Sequence, residues 1–165
     1  MESLLERLLD ILYEEKKLYG GLLELSTEKK EAIIGNDLEA LGRIVREEQV
    51  AVAKIQDRER ARVRCASDLE RQTGEKNASL QSFAHLATAP RDQAKFAELQ
   101  ASLPGLISQL RALNETNRQL VEQKLKYVQF VMDSLTQNAD PASYGAGGED
   151  NASDAPKTSL YDQKA

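Results

Sequence analysis

The chain has 165 residues, a formal net charge of -5, 30% charged and 5% aromatic residues, and no tryptophan. A mildly acidic balance argues against nucleic acid as a partner, and one cysteine with one histidine rules out an intrachain disulfide and any all-cysteine metal site. The core has to be built from Leu, Ile, Val and Ala.

The opening MESLLERLLD carries charges inside its apolar run and no small-residue cleavage site. It reads as neither signal peptide nor membrane span, so a cytoplasmic protein without membrane insertion is expected. From Ser3 onward Leu5, Leu8, Leu12, Tyr19, Leu22 and Ile33 share one face, flanked by Leu4, Ile11, Leu18 and Leu25. This predicts a first long helix ending near Ile34. Gly35 is the expected left-handed stop and Asn36 the expected N-cap of the next helix, with Glu39 as its reciprocal partner, so a tight helical hairpin follows. Gly20 and Gly21 lie inside the first helix, where each costs about 1 kcal/mol relative to Ala, and they predict a bend or a close crossing.

A second helix is expected from about Asp37 to about Gln72, with Leu38, Leu41, Val45, Val52, Ile55, Ala66 and Leu69 on its seam. Glu15, Lys29 and Glu48 fall in or beside the apolar stripes, where an unpaired charge is expensive, and are expected to be paired or at a groove edge. A di-iron carboxylate site is not expected, since it needs two Glu-x-x-His pairs and His85 has Ser82 three positions before it. Arg58, Arg60, Arg62, Arg64 and Arg71 are interleaved with Asp57, Glu59, Asp68 and Glu70, a pattern of a solvated helix face. Thr73-Gly74 marks a stop. Cys65 reads as a small half-buried helix residue and His85 as a surface or capping residue.

A short helix is expected over Ser79 to Ala87, with Leu80, Phe83 and Leu86 inward, broken by Ala89-Pro90. Helix resumes near Pro90, where Phe96 and Leu99 are apolar. No nucleophile, base and orienting group stand at a recognisable spacing, and no Gly-rich phosphate loop occurs, so neither an enzyme nor a cofactor is expected.

The longest helical pattern runs from Leu103 to Leu135, ~50 Å at the rise of an α-helix. Pro104 sits at its first turn or at a kink. Leu106, Leu110, Leu113, Asn117, Leu120, Lys124, Tyr127 and Val131 form a heptad seam with two polar interruptions. After Leu120 the apolar residues cover an arc of roughly 220°, wider than a core-facing helix needs. Part of that arc is expected to face something outside the monomer, the alternative being a helix buried by two neighbours of its own chain or by another copy in a homodimer or coiled-coil scaffold. The candidate surface comprises Asn114, Asn117, Leu120, Val121, Leu125, Val128, Met132 and Leu135. Residues 1–136 are thus expected to form a helical domain and residues 137–165, rich in Gly, Ala, Ser, Asp and Asn, a flexible tail. Tyr144 and Tyr161 stand in that tail as candidate recognition elements.

The segment LLDILYEEKKLYGGLLELSTEKKEAI, the hairpin GNDLEAL, the motif NETNRQL and the tail YGAGG together resemble the FlgN-type flagellar export chaperones for hook-associated proteins, over most of the chain. The resemblance implies an all-α, elongated antiparallel bundle with a disordered C-terminal tail and no enzymatic activity. It implies FlgK and FlgL as clients, bound by the segment around Asn114 to Leu135. It also implies docking on the export gate protein FlhA through a tail Tyr-Gly element, which falls here on Tyr144 and Gly145.

Overall fold

The computed structural model describes residues 1–74 and 79–137. Among the described residues there are four α-helices and no strand: α1 (Glu2–Gly35), α2 (Leu38–Thr73), α3 (Leu80–Leu86) and α4 (Pro90–Gln137). The chain divides into two units, Met1–Val128 and Gln129–Ala165. The described part of the second unit is the last stretch of α4, and the predicted tail beyond Gln137 lies outside the described residues.

The hairpin between α1 and α2 forms where expected, but one residue later. Gly35 stays helical and Asn36 takes the left-handed conformation, at φ 56° and ψ 32°. The Asn36 and Asp37 amides donate to the Ile33 and Ala32 carbonyls at 3.3 and 2.9 Å, the two bonds of a Schellman motif. Asp37, not Asn36, then caps α2 by accepting from the Ala40 amide at 2.9 Å. Asn tolerates the left-handed region better than any other side chain, which lets the helix run one residue past the glycine. Gly20 and Gly21 lie within the unbroken helix α1, and among the described residues an added Cβ at either would meet nothing within 4 Å, so the expected close crossing is not there.

Side-chain pairs give the directions of the long helices. Glu15 meets Arg62, Glu28 meets Arg43 and Lys29 meets Glu48, so α2 descends as α1 rises. Tyr13 meets Glu98, Ser26 meets Asn114 and Lys124 meets the Ile34 carbonyl, so α4 runs parallel to α1. The unit Met1–Val128 is therefore an up-down-up arrangement of α1, α2 and α4.

The main core lies at the end where α1 begins. Leu5, Leu8, Leu9 and Leu12 of α1 pack with Cys65 and Leu69 of α2, Phe83 of α3, Ala87 just beyond it, and Phe96, Leu99 and Leu103 of α4. Phe96, Leu99 and Leu69 are fully covered, at 0% exposure. Ser79 caps α3 by accepting from the Ser82 amide at 3.2 Å, so a helix of seven residues is held in place at its start. Further along α1 the core thins to Leu22, Ile55 and Leu110. Pro104 sits inside α4 with no break in the helix, and its missing N–H leaves the Gln100 carbonyl without its helical donor.

Three residues of the expected α2 seam are not core. Leu38, Val45 and Val52 are exposed, Leu41 and Ala66 are half-buried, and only Ile55 and Leu69 of that seam are buried. Ile44 and Cys65, outside that seam, are buried on α2, and among the described residues no further helix covers Leu38, Val45 and Val52.

Candidate functional site

Three polar ties fix α4 against α1. Near the closed end Glu98 accepts from Tyr13 Oη at 2.5 Å and pairs with Lys16 Nζ, and these two donors hold its carboxyl below the usual range. In the middle Ser26, 1% exposed, donates from Oγ to Asn114 Oδ1 at 3.0 Å and accepts at its carbonyl from Asn117 Nδ2 at 2.8 Å. Near the hairpin Lys124 Nζ donates to the Ile34 carbonyl at 3.1 Å and to Asn36 Oδ1. A buried polar pair in an apolar seam fixes axial register, because any slip leaves it unsatisfied. Asn117 Oδ1 is itself buried without a hydrogen-bond partner.

The last tie coincides with the end of the hairpin, so Leu125 to Val128 have passed the last residue of α1. Val121 is 40% exposed, Leu125 63%, Tyr127 69% and Val128 56%. In the second unit Phe130, Met132 and Leu135 are also exposed. Exposed apolar residues scattered singly are ordinary, but Val121, Leu125, Tyr127 and Val128 together within eight residues of the first unit are a mark of an interaction surface.

Of the residues singled out in the sequence, Val121, Leu125, Val128, Met132 and Leu135 are exposed, Leu120 is half-buried, and Asn114 and Asn117 are engaged with Ser26. Tyr144 and Gly145 lie outside the described residues. Tyr127 and Phe130, in the predicted arc but not among the candidates, are as exposed as their neighbours. Leu38, Val45 and Val52 of α2 are exposed apolar residues that the sequence placed in the core.

The charges near the stripes are paired within the chain. Lys29 meets Glu48 at 2.7 Å, both half-buried. Glu15, 6% exposed, accepts from Arg62 Nε at 3.2 Å, and burial nevertheless pushes its carboxyl above the usual range. On α4, bonds from Arg118 and Gln119 lower the Glu115 carboxyl to about 2. Cys65 is buried, donates its thiol to the Leu4 carbonyl at 3.3 Å, and has its pKa pushed up by burial, so it is placed as a packing residue and not as an activated thiolate. Among the described residues no group of three His, Cys, Asp or Glu side chains is placed to hold a metal, and no helix is long and apolar enough to cross a membrane.

Comparison with known proteins adds two findings. The family model described as "FlgN protein" matches residues 1–152 of this chain. "Uncharacterized protein YvyG" of Bacillus subtilis (strain 168) is 26% identical over 148 residues, which cover 90% of this chain and 91% of that protein. No solved structure matches.

Proposed function

The chain belongs to the FlgN family of flagellar export chaperones, and we propose that it binds the terminal helices of the hook-filament junction proteins FlgK and FlgL in the cytoplasm, prevents their early assembly, and delivers them to the export gate. The observation that carries this reading is the run of exposed apolar residues along α4 from Val121 through Val128. A client's amphipathic helix laid on such a face removes apolar area from water on both partners, which is helix-in-groove recognition. Asn114 and Asn117, tied to Ser26, contribute by holding the register of the helix that presents the face. No nucleotide or metal takes part in that binding.

The test is calorimetric titration of the purified chain with the C-terminal helical fragment of its own organism's FlgK- or FlgL-type protein. Leu125→Asp and Val128→Asp should each weaken the complex by about tenfold or more, equivalent to ~1.4 kcal/mol, with helix content unchanged by circular dichroism. Normal binding by both variants removes α4 from the client surface.

A second reading, a homo-oligomeric coiled-coil scaffold, is favoured by the same exposed run, since another copy could bury it. Sedimentation of the free chain at micromolar concentration separates the two: a tight dimer that excludes the junction fragment supports the scaffold. For the tail we propose docking on FlhA through Tyr144 and Gly145. Truncation after Gln137 should then leave fragment binding intact and reduce export of the client in cells.

A further inference from the structure

The exposed α2 residues acquire a meaning when the position of α3 is taken into account. Leu80 and Phe83 of α3 line a cleft with Leu8, Leu12, Glu15 and Tyr19 of α1, Arg62 and Ala66 of α2, and Leu103 and Ile107 of α4. The short helix thus sits over α1 between α2 and α4. A second cleft, of about 380 Å³, opens further along between the same three helices. Its floor is Leu22, Ser26 and Lys29 of α1, and its walls include Val52 of α2 and Leu110, Asn114 and Val121 of α4.

The two clefts lie end to end along one face of α1, as an interrupted groove. On α1 their floor residues follow one another as 8, 12, 15, 19, 22, 26 and 29, alternating steps of four and three that keep to a single helix face. The α4 wall advances by the same steps through Leu103, Ile107, Leu110, Asn114, Asn117 and Val121. On α2 the steps from Ala66 and Arg62 lead to Val52 and Glu48, and the next positions of that series are Val45, Leu41 and Leu38. These last three are exposed or half-buried, although all are apolar. The chain's own α3 fills the head of this groove with an amphipathic helix and then stops.

Resting on the client-helix reading above, we propose that the client helix occupies the remainder of this groove as a fourth bundle member, in continuation of α3, with Leu41, Val45 and Val52 of α2 forming a second wall opposite Val121 and Leu125 of α4. The occupant's chemistry follows from the lining. The charges at the groove are already paired, Lys29 with Glu48, Arg62 with Glu15, and Arg118 with Glu115 and Glu122. The seated face is therefore apolar and uncharged, repeating every three to four residues as Leu80 and Phe83 do on α3. From Tyr19 to Lys29 the floor is long enough for roughly three helical turns, ~15 Å. A helix there covers α2 and α4 together, so the client reads both walls at once.

The test uses the full chain and the same junction-protein fragment. Val45→Asp and Val52→Asp alter side chains that already reach solvent, and each should weaken binding by about tenfold. Leu125→Asp should do likewise, and Val50→Asp, exposed on the other side of α2, should bind as the parent does. As a readout independent of substitution, amide exchange of residues 41–52 should slow in the complex of the unaltered chain. If the α2 variants bind normally and residues 41–52 exchange unchanged while Leu125→Asp fails, the groove is not the seat and only the α4 surface remains. If Leu125→Asp also binds normally, the client-helix reading falls with it. If the free chain is a dimer that Val52→Asp dissociates without affecting fragment binding, the occupant is a second copy and the proposal is overturned.

Discussion

The two ends of the Met1–Val128 unit are built from the same kinds of residue and differ in how many helices share the cross-section. At the end where α1 begins, α1, α2, α3 and α4 all contribute, and Phe96, Leu99 and Leu69 are sealed from water. Toward the hairpin α3 is gone, the clustered core shrinks to Leu22, Ile55 and Leu110 with Ile33 and Ile44 buried beyond it, and Val45, Val52, Val121 and Leu125 remain open. Three helices leave one groove without a lid. Seven residues of α3 are therefore enough to separate a region that is a folding core from one that remains available for binding.

The largest expected effect sharpens that contrast in stability. Phe96→Ala removes a fully covered ring at the four-helix end and should cost about 3–5 kcal/mol in urea unfolding. Leu125→Ala, at the open end, should change the same quantity by less than about 0.5 kcal/mol. Comparable losses at both positions would mean that the open end is part of the folding core and that the division is illusory.

The next effect lies where the two regions join. Asn117→Ala deletes the amide that donates to the buried Ser26 carbonyl at 2.8 Å and leaves that carbonyl without its side-chain partner. The expected loss is about 1–3 kcal/mol, accompanied by faster amide exchange in α4 on the hairpin side of residue 117. A variant as stable as the parent would show that the Ser26 tie does not hold the open stretch in register.

Much of this was legible from spacing alone. The helical hairpin, the short helix with its inward Phe83 and the excess apolar arc of α4 follow from period, because each depends on residues close in sequence, whereas the long helix begins at Pro90 rather than Leu103, and that Lys29 meets Glu48 could not be read from spacing. The cap at Asn36 was displaced by one residue because Gly and Asn both tolerate left-handed geometry, and only the chain beyond decides between them. Leu38, Val45 and Val52 could not be placed for a different reason. A stripe of apolar residues shows that something should cover it, and says nothing of whether the cover is in the same chain. The asparagines were legible as seam interruptions, but their bond partner, Ser26, lies about ninety positions away.

The smallest effect concerns Glu15, in the cleft it lines with Leu80 and Phe83 of α3. Burial raises its carboxyl above the ordinary value despite Arg62, so over that window the folded chain retains a proton that the unfolded chain releases. Folding stability attributable to this group accordingly falls as pH rises through the window between the unfolded and the native pKa, and it is fully present below the unfolded value. Glu15→Gln removes the titration while keeping the shape. Its thermal midpoint should exceed the parent's at pH 7, with the gap shrinking as the buffer is taken down to pH 4. A variant less stable than the parent at pH 7 would show that the Arg62 pair outweighs desolvation, and that the floor at this point is a favourable ion pair rather than a charge held under the edge of an unfinished lid.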